Sequence, residues 1–130
     1  MKHPQIEITV RGFHIDVFGH VNNARYLEFM EEARWAIFNK TLITLREQNM
    51  SLAIVNININ YRRAALLDQH LVIDAEVERF GNTSFVIAQK VIAADNPDII
   101  FADATVTSVI LNQEGKPMKL DDSLRHLLFA

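Results

Sequence analysis

The sequence predicts an α+β fold: one antiparallel sheet with one long helix packed on it. Three observations predict it. One long segment, residues 23 to about 40, carries apolar side chains at helical spacing. Alternation of apolar and polar residues, the period of a half-buried strand, recurs on both sides of that segment. Turn signals separate most of the later strands, and strands joined by short turns are antiparallel neighbours.

Each element follows from its residues. "QIEITVRG" alternates Ile6, Ile8 and Val10 with Glu7, Thr9 and Arg11, a strand. "FHIDVFGHVNN" is irregular and reads as a loop. On a helical wheel Arg25, Glu28, Glu31, Glu32, Trp35 and Asn39 share one arc, and mostly apolar residues from Tyr26 to Phe38 fill the rest. So wide an apolar arc predicts a helix with protein around most of its girth, as a strongly curved sheet would provide. Arg34 falls inside that arc. It is expected to pair with Glu31 or a neighbouring strand rather than with a substrate. "TLITLREQNM" continues as a shorter helix or a link. Four strands follow: "SLAIVNININYRRAA", "HLVIDAEVERF", "TSFVIAQKVIAA" and "IIFADATVTSVIL", with turns at "GN", "DNPD" and "NQEGKP". "DDSLRHLLFA" closes the chain as a short helix capped by Asp121 or Asp122.

The chain has 130 residues, 49% of them apolar, which predicts a single domain over 1–130 with a sizeable core. A net charge of -3 argues against nucleic acid as a partner. The absence of Cys excludes disulfides, thiolate nucleophiles and Cys-based zinc sites. No apolar leader and no membrane-length apolar run is visible, so a cytoplasmic protein without a membrane span is expected.

"DVFGHVNN" is the segment with chemistry in it. Its bland account is structural: Asn22 or Asn23 caps the helix, Gly19 permits a turn, and Asp16 holds a loop amide. Its functional account starts from the helix N-terminus, whose unpaired amides and positive dipole end suit an oxygen on which negative charge develops. A carboxylate at Asp16 could act there as general base or as nucleophile. No Ser sits in a G-x-S-x-G elbow.

"DVFGHVNNARYLEFMEEARW", followed by "NININYRR", resembles the hotdog-fold acyl-CoA thioesterases of the 4-hydroxybenzoyl-CoA thioesterase-like family. The strand "NININYRR" narrows the likeness towards the branch acting on long-chain acyl-CoA. The resemblance spans nearly the whole chain and is weakest after Leu111. It implies a curved sheet around a central helix, a homodimer or homotetramer with active sites at the subunit interface, and hydrolysis of acyl-CoA without a cofactor. It implies catalytic roles for Asp16 and for the backbone N–H of Asn23. His20, Asn22 and Tyr26 match the same string. Where related sequences often have Pro after "YRR", this chain has Ala64.

Some relatives use a helix Glu instead of the loop Asp, but Glu28, Glu31 and Glu32 lie on the polar arc. Arg62 and Arg63, adjacent at a strand end, are the best pair for the phosphates of coenzyme A, ahead of Arg79 and Lys90. Asn56, Asn58 and Asn60 share one strand face and are expected to form a hydrogen-bonded seam between subunits. Phe18, Leu27, Phe29 and Met30 could line an acyl slot or be plain core. Three rivals stand beside the thioesterase: a hotdog hydratase or dehydratase, whose Asp-x-Asn-Pro-x-His string is missing; a non-catalytic acyl-CoA-binding module; and a metal site of His14, Asp16 and His20, whose spacing lacks a ligand pattern.

Overall fold

A computed structural model describes residues 4–129. The first three residues of the predicted domain, and Ala130 at the end of the predicted last helix, lie outside the described residues. Strand β1 (Gln5–Thr9) and a 3-10 turn (Gly12–His14) lead through a loop to α1 (Asn23–Ile37) and α2 (Asn39–Glu47). Then come β2 (Ser51–Tyr61), β3 (His70–Asp74), β4 (Glu76–Phe80), β5 (Ser84–Ala93), β6 (Asn96–Leu111) and α3 (Asp122–Phe129). The sheet order is β1-β3-β5-β6-β2, with β4 also on β5, and every pairing is antiparallel. This is the predicted α+β class.

Several boundaries differ from the sequence reading, each for a local reason. The long helix breaks at Phe38 (φ -100°, ψ 19°), although no Gly or Pro stands there. The bend carries Phe38 itself, and Leu45 of α2, into a second apolar cluster with Phe85, Ile110 and Leu124. "HLVIDAEVERF" is two strands, β3 and β4, interrupted at Ala75. There the Asp74 carboxylate accepts from Lys90 N–H (2.6 Å), and the Gln89 amide donates to Asp74 O (3.1 Å). These side-chain bonds stand where regular ladder bonds would run. The turn expected at "DNPD" falls at Ala94 and Asp95, so β6 already begins at Asn96. Asp121 caps α3, accepting from Leu124 N–H at 2.9 Å.

Strand β2 is not a neighbour of β3. It lies at the opposite edge, beside β6. The connection, residues 62–69, therefore has to cross the molecule, and it passes the start of α1: Ala65 N–H donates to the Tyr26 hydroxyl (3.0 Å) and Val21 N–H to Ala65 O (3.0 Å).

Helix α1 buries Tyr26, Phe29, Met30 and Ala33 against Val10, Leu71, Ile73 and Phe101. Each such side chain contributes about 1.5–3 kcal/mol when fully buried. The buried stripe is narrower than the wheel predicts, because Leu27 and Ala36 stay exposed. Arg34 reaches the neighbouring strand, donating to Gln89 Oε1 (2.8 Å). That partner is neutral, so the contact is a hydrogen bond and not the expected ion pair. Gln89 itself is 1% exposed and also donates to Met30 O (3.0 Å).

Candidate active site

A tight loop joins β1 to α1. Ile15 and Val21 pair across it, Asp16 N–H donates to His20 O (2.8 Å), and Gly19 N–H donates to Asp16 O (3.0 Å). Gly19 has φ +82°, a left-handed conformation that L side chains adopt at a cost. The loop fixes the Asp16 carboxylate. Its Oδ1 accepts from Phe18 N–H (2.9 Å) and more weakly from His20 N–H (3.4 Å). Its Oδ2 has no partner among the described residues. One oxygen is thus structural and the other is available.

Asn22 is the N-cap of α1: its side chain accepts from Ala24 N–H (2.9 Å) and its carbonyl from Arg25 N–H (2.9 Å). Asn23 is then the first helical residue, and its N–H meets no partner among the described residues. An unpaired amide at the positive end of a helix stabilises an anionic oxygen placed before it.

Asp16, His20, Asn23, Tyr26, Arg62 and Arg63 line one cleft of about 300 Å³, with Val21, Tyr61 and Ala64. Six of the seven site residues singled out in the sequence therefore meet, drawn from the loop, the helix start and the end of β2. Asn22 is absent from the lining, because its side chain is spent on the helix cap. Tyr26 is 2% exposed, and its hydroxyl receives the Ala65 N–H, so it holds the 62–65 wall in place. Burial pushes its phenol above the ordinary value. Tyr61 was not anticipated; its hydroxyl donates to Asn23 O (3.2 Å) and ties β2 to the helix start. Its one warning in the sequence is an aromatic on the apolar alternation beside "RR".

The two arginines differ. Arg62 pairs with Asp103, which also accepts from Asn60 Nδ2 (3.1 Å). The Arg62 guanidinium holds the Asp103 carboxyl below its usual range. Arg63 is exposed and has no ion pair among the described residues. Arg79 pairs with Glu78, and Lys90 lies beside Asp103 and Glu76; neither lines the cleft. Of the helix carboxylates, Glu28 pairs with Arg25 (2.8 Å), Glu32 is exposed, and Glu31 lines a different cavity. None reaches the Asp16 cleft. His14 is buried against Phe29 and accepts from Arg11 N–H through Nδ1 (2.9 Å), a packing role. Among the described residues no group of three or more His, Asp or Glu is placed to hold a metal ion.

A second cavity, about 330 Å³, lies between α1, α2, α3 and the inner side of β2 and β5. Phe38, Leu42, Leu45, Leu52, Ile54 and Phe85 line it, and it shares no residue with the Asp16 cleft. Of the four apolar residues read as either an acyl slot or plain core, Phe29 and Met30 are core, while Phe18 and Leu27 are exposed. No helix among the described residues is long and apolar enough to cross a membrane.

Residues 18–100 match the thioesterase superfamily, a span that takes in Asn23, Tyr26, Arg62 and Arg63 and begins just after Asp16. The chain is 41% identical over 127 residues to the long-chain acyl-CoA thioesterase FadM of Escherichia coli (strain K12), covering 95% of this chain and 96% of that one. The crystal structure of the probable thioesterase YbaW from Escherichia coli superposes with a TM-score of 0.90 at 39% identity, over 97% of this chain and 96% of that one. A thioesterase from Thermus thermophilus, solved with coenzyme A and Zn, gives a TM-score of 0.82 at 26% identity, over 97% and 92%. On this sequence match and this fold together, the chain belongs to the thioesterase superfamily.

Proposed function

We propose that the chain hydrolyses acyl-CoA thioesters to a free acid and coenzyme A at the Asp16 cleft, and that long-chain fatty acyl groups are its substrates. The observation that carries this is the pairing of an available carboxylate oxygen, Asp16 Oδ2, with an unpartnered helix-start amide, Asn23 N–H, on the walls of one cleft. The identity to a long-chain acyl-CoA thioesterase supports the substrate class, and the coenzyme A bound by the Thermus relative supports the carrier.

In this reading the thioester carbonyl oxygen faces Asn23 N–H, which strengthens its hold as the oxygen becomes anionic. Asp16 takes a proton from water, the hydroxide adds to the carbonyl carbon, and collapse breaks the C–S bond. The thiolate leaves and takes up the proton. Alternatively Asp16 attacks the carbon itself, giving a mixed anhydride that water then opens. His20 and Asn22 shape the loop, Tyr26 holds the wall, and Arg63, with Arg62 behind it, meets the phosphates at the mouth. The assembly is a homodimer or homotetramer in the cytoplasm, in fatty acid metabolism.

The test is thiol release from a panel of acyl-CoAs by the wild type and by Asp16→Asn. Loss of general-base or nucleophilic action lowers kcat by about 10²–10⁴-fold, with KM little changed. Full activity in the variant overturns the role of Asp16. Thiol release by neither protein favours a binding module or a hydratase. Single turnover in ¹⁸O-water tests the direct route: opening the anhydride at the Asp16 carboxyl carbon leaves ¹⁸O on Asp16 and an unlabelled oxygen in the first product, whereas general-base action labels the product and leaves Asp16 unlabelled.

A further inference from the structure

Asn23 stands where a helix is weakest. Helix ends fray, because their first amides have no intrahelical partner. Asn23 N–H meets none among the described residues, so no hydrogen bond of its own holds the direction in which it points. That direction is set by whatever holds the rest of the residue.

Three bonds tie the helix start to the end of β2 and the segment after it. Val21 N–H donates to Ala65 O (3.0 Å), Ala65 N–H donates to the Tyr26 hydroxyl (3.0 Å), and the Tyr61 hydroxyl donates to Asn23 O (3.2 Å). Of these three only the last ends on Asn23. Tyr61 is itself a fixed point. Its backbone pairs with Ala102 of β6, and the next two amides, Arg62 N–H and Arg63 N–H, both donate to Phe101 O (2.8 and 3.2 Å). Its ring meets the ring of the buried Tyr26 edge-on, with centroids 5.6 Å apart. The sheet thus reaches the residue that carries the unpaired amide through one phenol, a rigid side chain with few torsions to lose. The bond is longer than the usual ~2.7–2.8 Å of a hydroxyl donor. It adds little to the stability of the fold; what it fixes is orientation.

We propose that Tyr61 is a positioning residue for thioester hydrolysis: its hydroxyl, bonded to Asn23 O, holds the first turn of α1 so that Asn23 N–H stays aimed at the thioester carbonyl oxygen. This rests on the thioesterase reading of the Asp16 cleft and adds the residue that pre-organises its amide. The hydroxyl acts through Asn23 and not on the substrate. A donor fixed in advance needs no reorganisation as charge develops on the oxygen, so the benefit is felt in the transition state more than in binding.

The experiment compares the wild type with Tyr61→Phe, which removes the hydroxyl and keeps the ring. Thiol release from palmitoyl-CoA should show kcat lowered by about tenfold, short of the roughly 10²–10³-fold that follows loss of an oxyanion donor itself, with KM and Tm little changed. A role in stability alone would lower Tm and leave the kcat of the folded protein as it was. The carbonyl stretch of palmitoyl-CoA labelled with ¹³C at the carbonyl, bound to the Asp16→Asn protein, reads the aim of Asn23 N–H directly. It should lie below that of the free thioester, and adding Tyr61→Phe should take back at least half of the lowering. An unchanged kcat overturns the proposal. So does an unchanged stretch, even beside a reduced kcat, since the hydroxyl would then act elsewhere than through Asn23. Tyr61→Leu repeats the comparison if Tyr61→Phe fails to fold. Absence of thiol release by the wild type, or full activity in Asp16→Asn, is a failure of the thioesterase reading or of the Asp16 assignment instead. The ¹⁵N order parameter of Asn23 N–H, measured without substrate, then decides the tie by itself: a fall in Tyr61→Phe from about 0.85 towards 0.6 upholds it, and equal values overturn it.

Discussion

Replacing Gln89 by Leu removes a polar tie that fastens α1 to the middle of the sheet. The side chain is 1% exposed and makes three hydrogen bonds. Its amide donates to Met30 O and Asp74 O, two neutral bonds worth about 1 kcal/mol each. Its carbonyl accepts from the Arg34 guanidinium at 2.8 Å, a charged bond worth about 1.5–3 kcal/mol. Burial already lowers the pKa of Arg34, so the charge left behind is poorly solvated. Leucine recovers about 1.5 kcal/mol of apolar transfer in the same space. The net loss is about 2–3.5 kcal/mol. For 130 residues the entropy of unfolding near 60 °C is about 0.27 kcal/mol/K, so Tm falls by about 7–13 °C. Urea unfolding should move the midpoint without changing m. Arg34→Met alone and combined with Gln89→Leu should be non-additive, since the pair shares one bond. A loss below about 0.5 kcal/mol in Gln89→Leu, or strict additivity in the double variant, refutes the reasoning.

Other expectations follow from single residues. His14 is held below its ordinary pKa, first by burial and then by Arg25. The unfolded chain therefore binds the proton more tightly, and the contribution of His14 to stability is complete above pH 6.5 and shrinks as pH falls below it. Urea midpoints at pH 7.5 and 5.5 check this, and His14→Gln should flatten the difference. Gly19→Ala should cost about 1–2 kcal/mol through backbone strain alone, because its φ is +82° and nothing lies within 4 Å of an added Cβ. Calorimetry measures it, and kcat should fall with it because the same turn aims Asp16. Ser108 has a fully buried hydroxyl with no partner among the described residues. Ser108→Ala should leave Tm unchanged or raise it, whereas a clear drop would reveal a bond the hydroxyl makes.

Much of the site was legible because it is local. The helix start, its Asn22 cap and the Asp16 turn are each written within a few adjacent residues, and local backbone chemistry decides them. The alternation in "NININYRR" likewise placed Arg62 and Arg63 at a strand end. What could not be read arises between distant segments. The crossing of residues 62–69 past Tyr26 depends on β2 lying at the far edge of the sheet, which no spacing reveals. The interruption at Ala75 depends on side-chain bonds from Gln89 and to Asp74. Gln89 itself did leave a trace: it falls on the apolar side of the alternation Phe85, Ile87, Val91, as Arg34 falls inside the apolar arc of α1. Two polar residues misplaced in two elements are a sign that they meet. Packing alone bends the helix at Phe38, and nothing local announces it.

The divided carboxylate of Asp16 has a consequence for how this loop can vary. The oxygen that fixes the turn and the oxygen proposed for chemistry belong to one group, so neither can move without the other. A glutamate keeps the charge but inserts a bond of about 1.5 Å. If the longer side chain keeps the bond to Phe18 N–H, the free oxygen leaves its place before the helix start. If it keeps that place, the turn loses its tie. A misplacement of about 1 Å can cost 10²-fold in rate. If Asp16 acts as proposed, the most conservative exchange in charge is thus among the least tolerable in geometry.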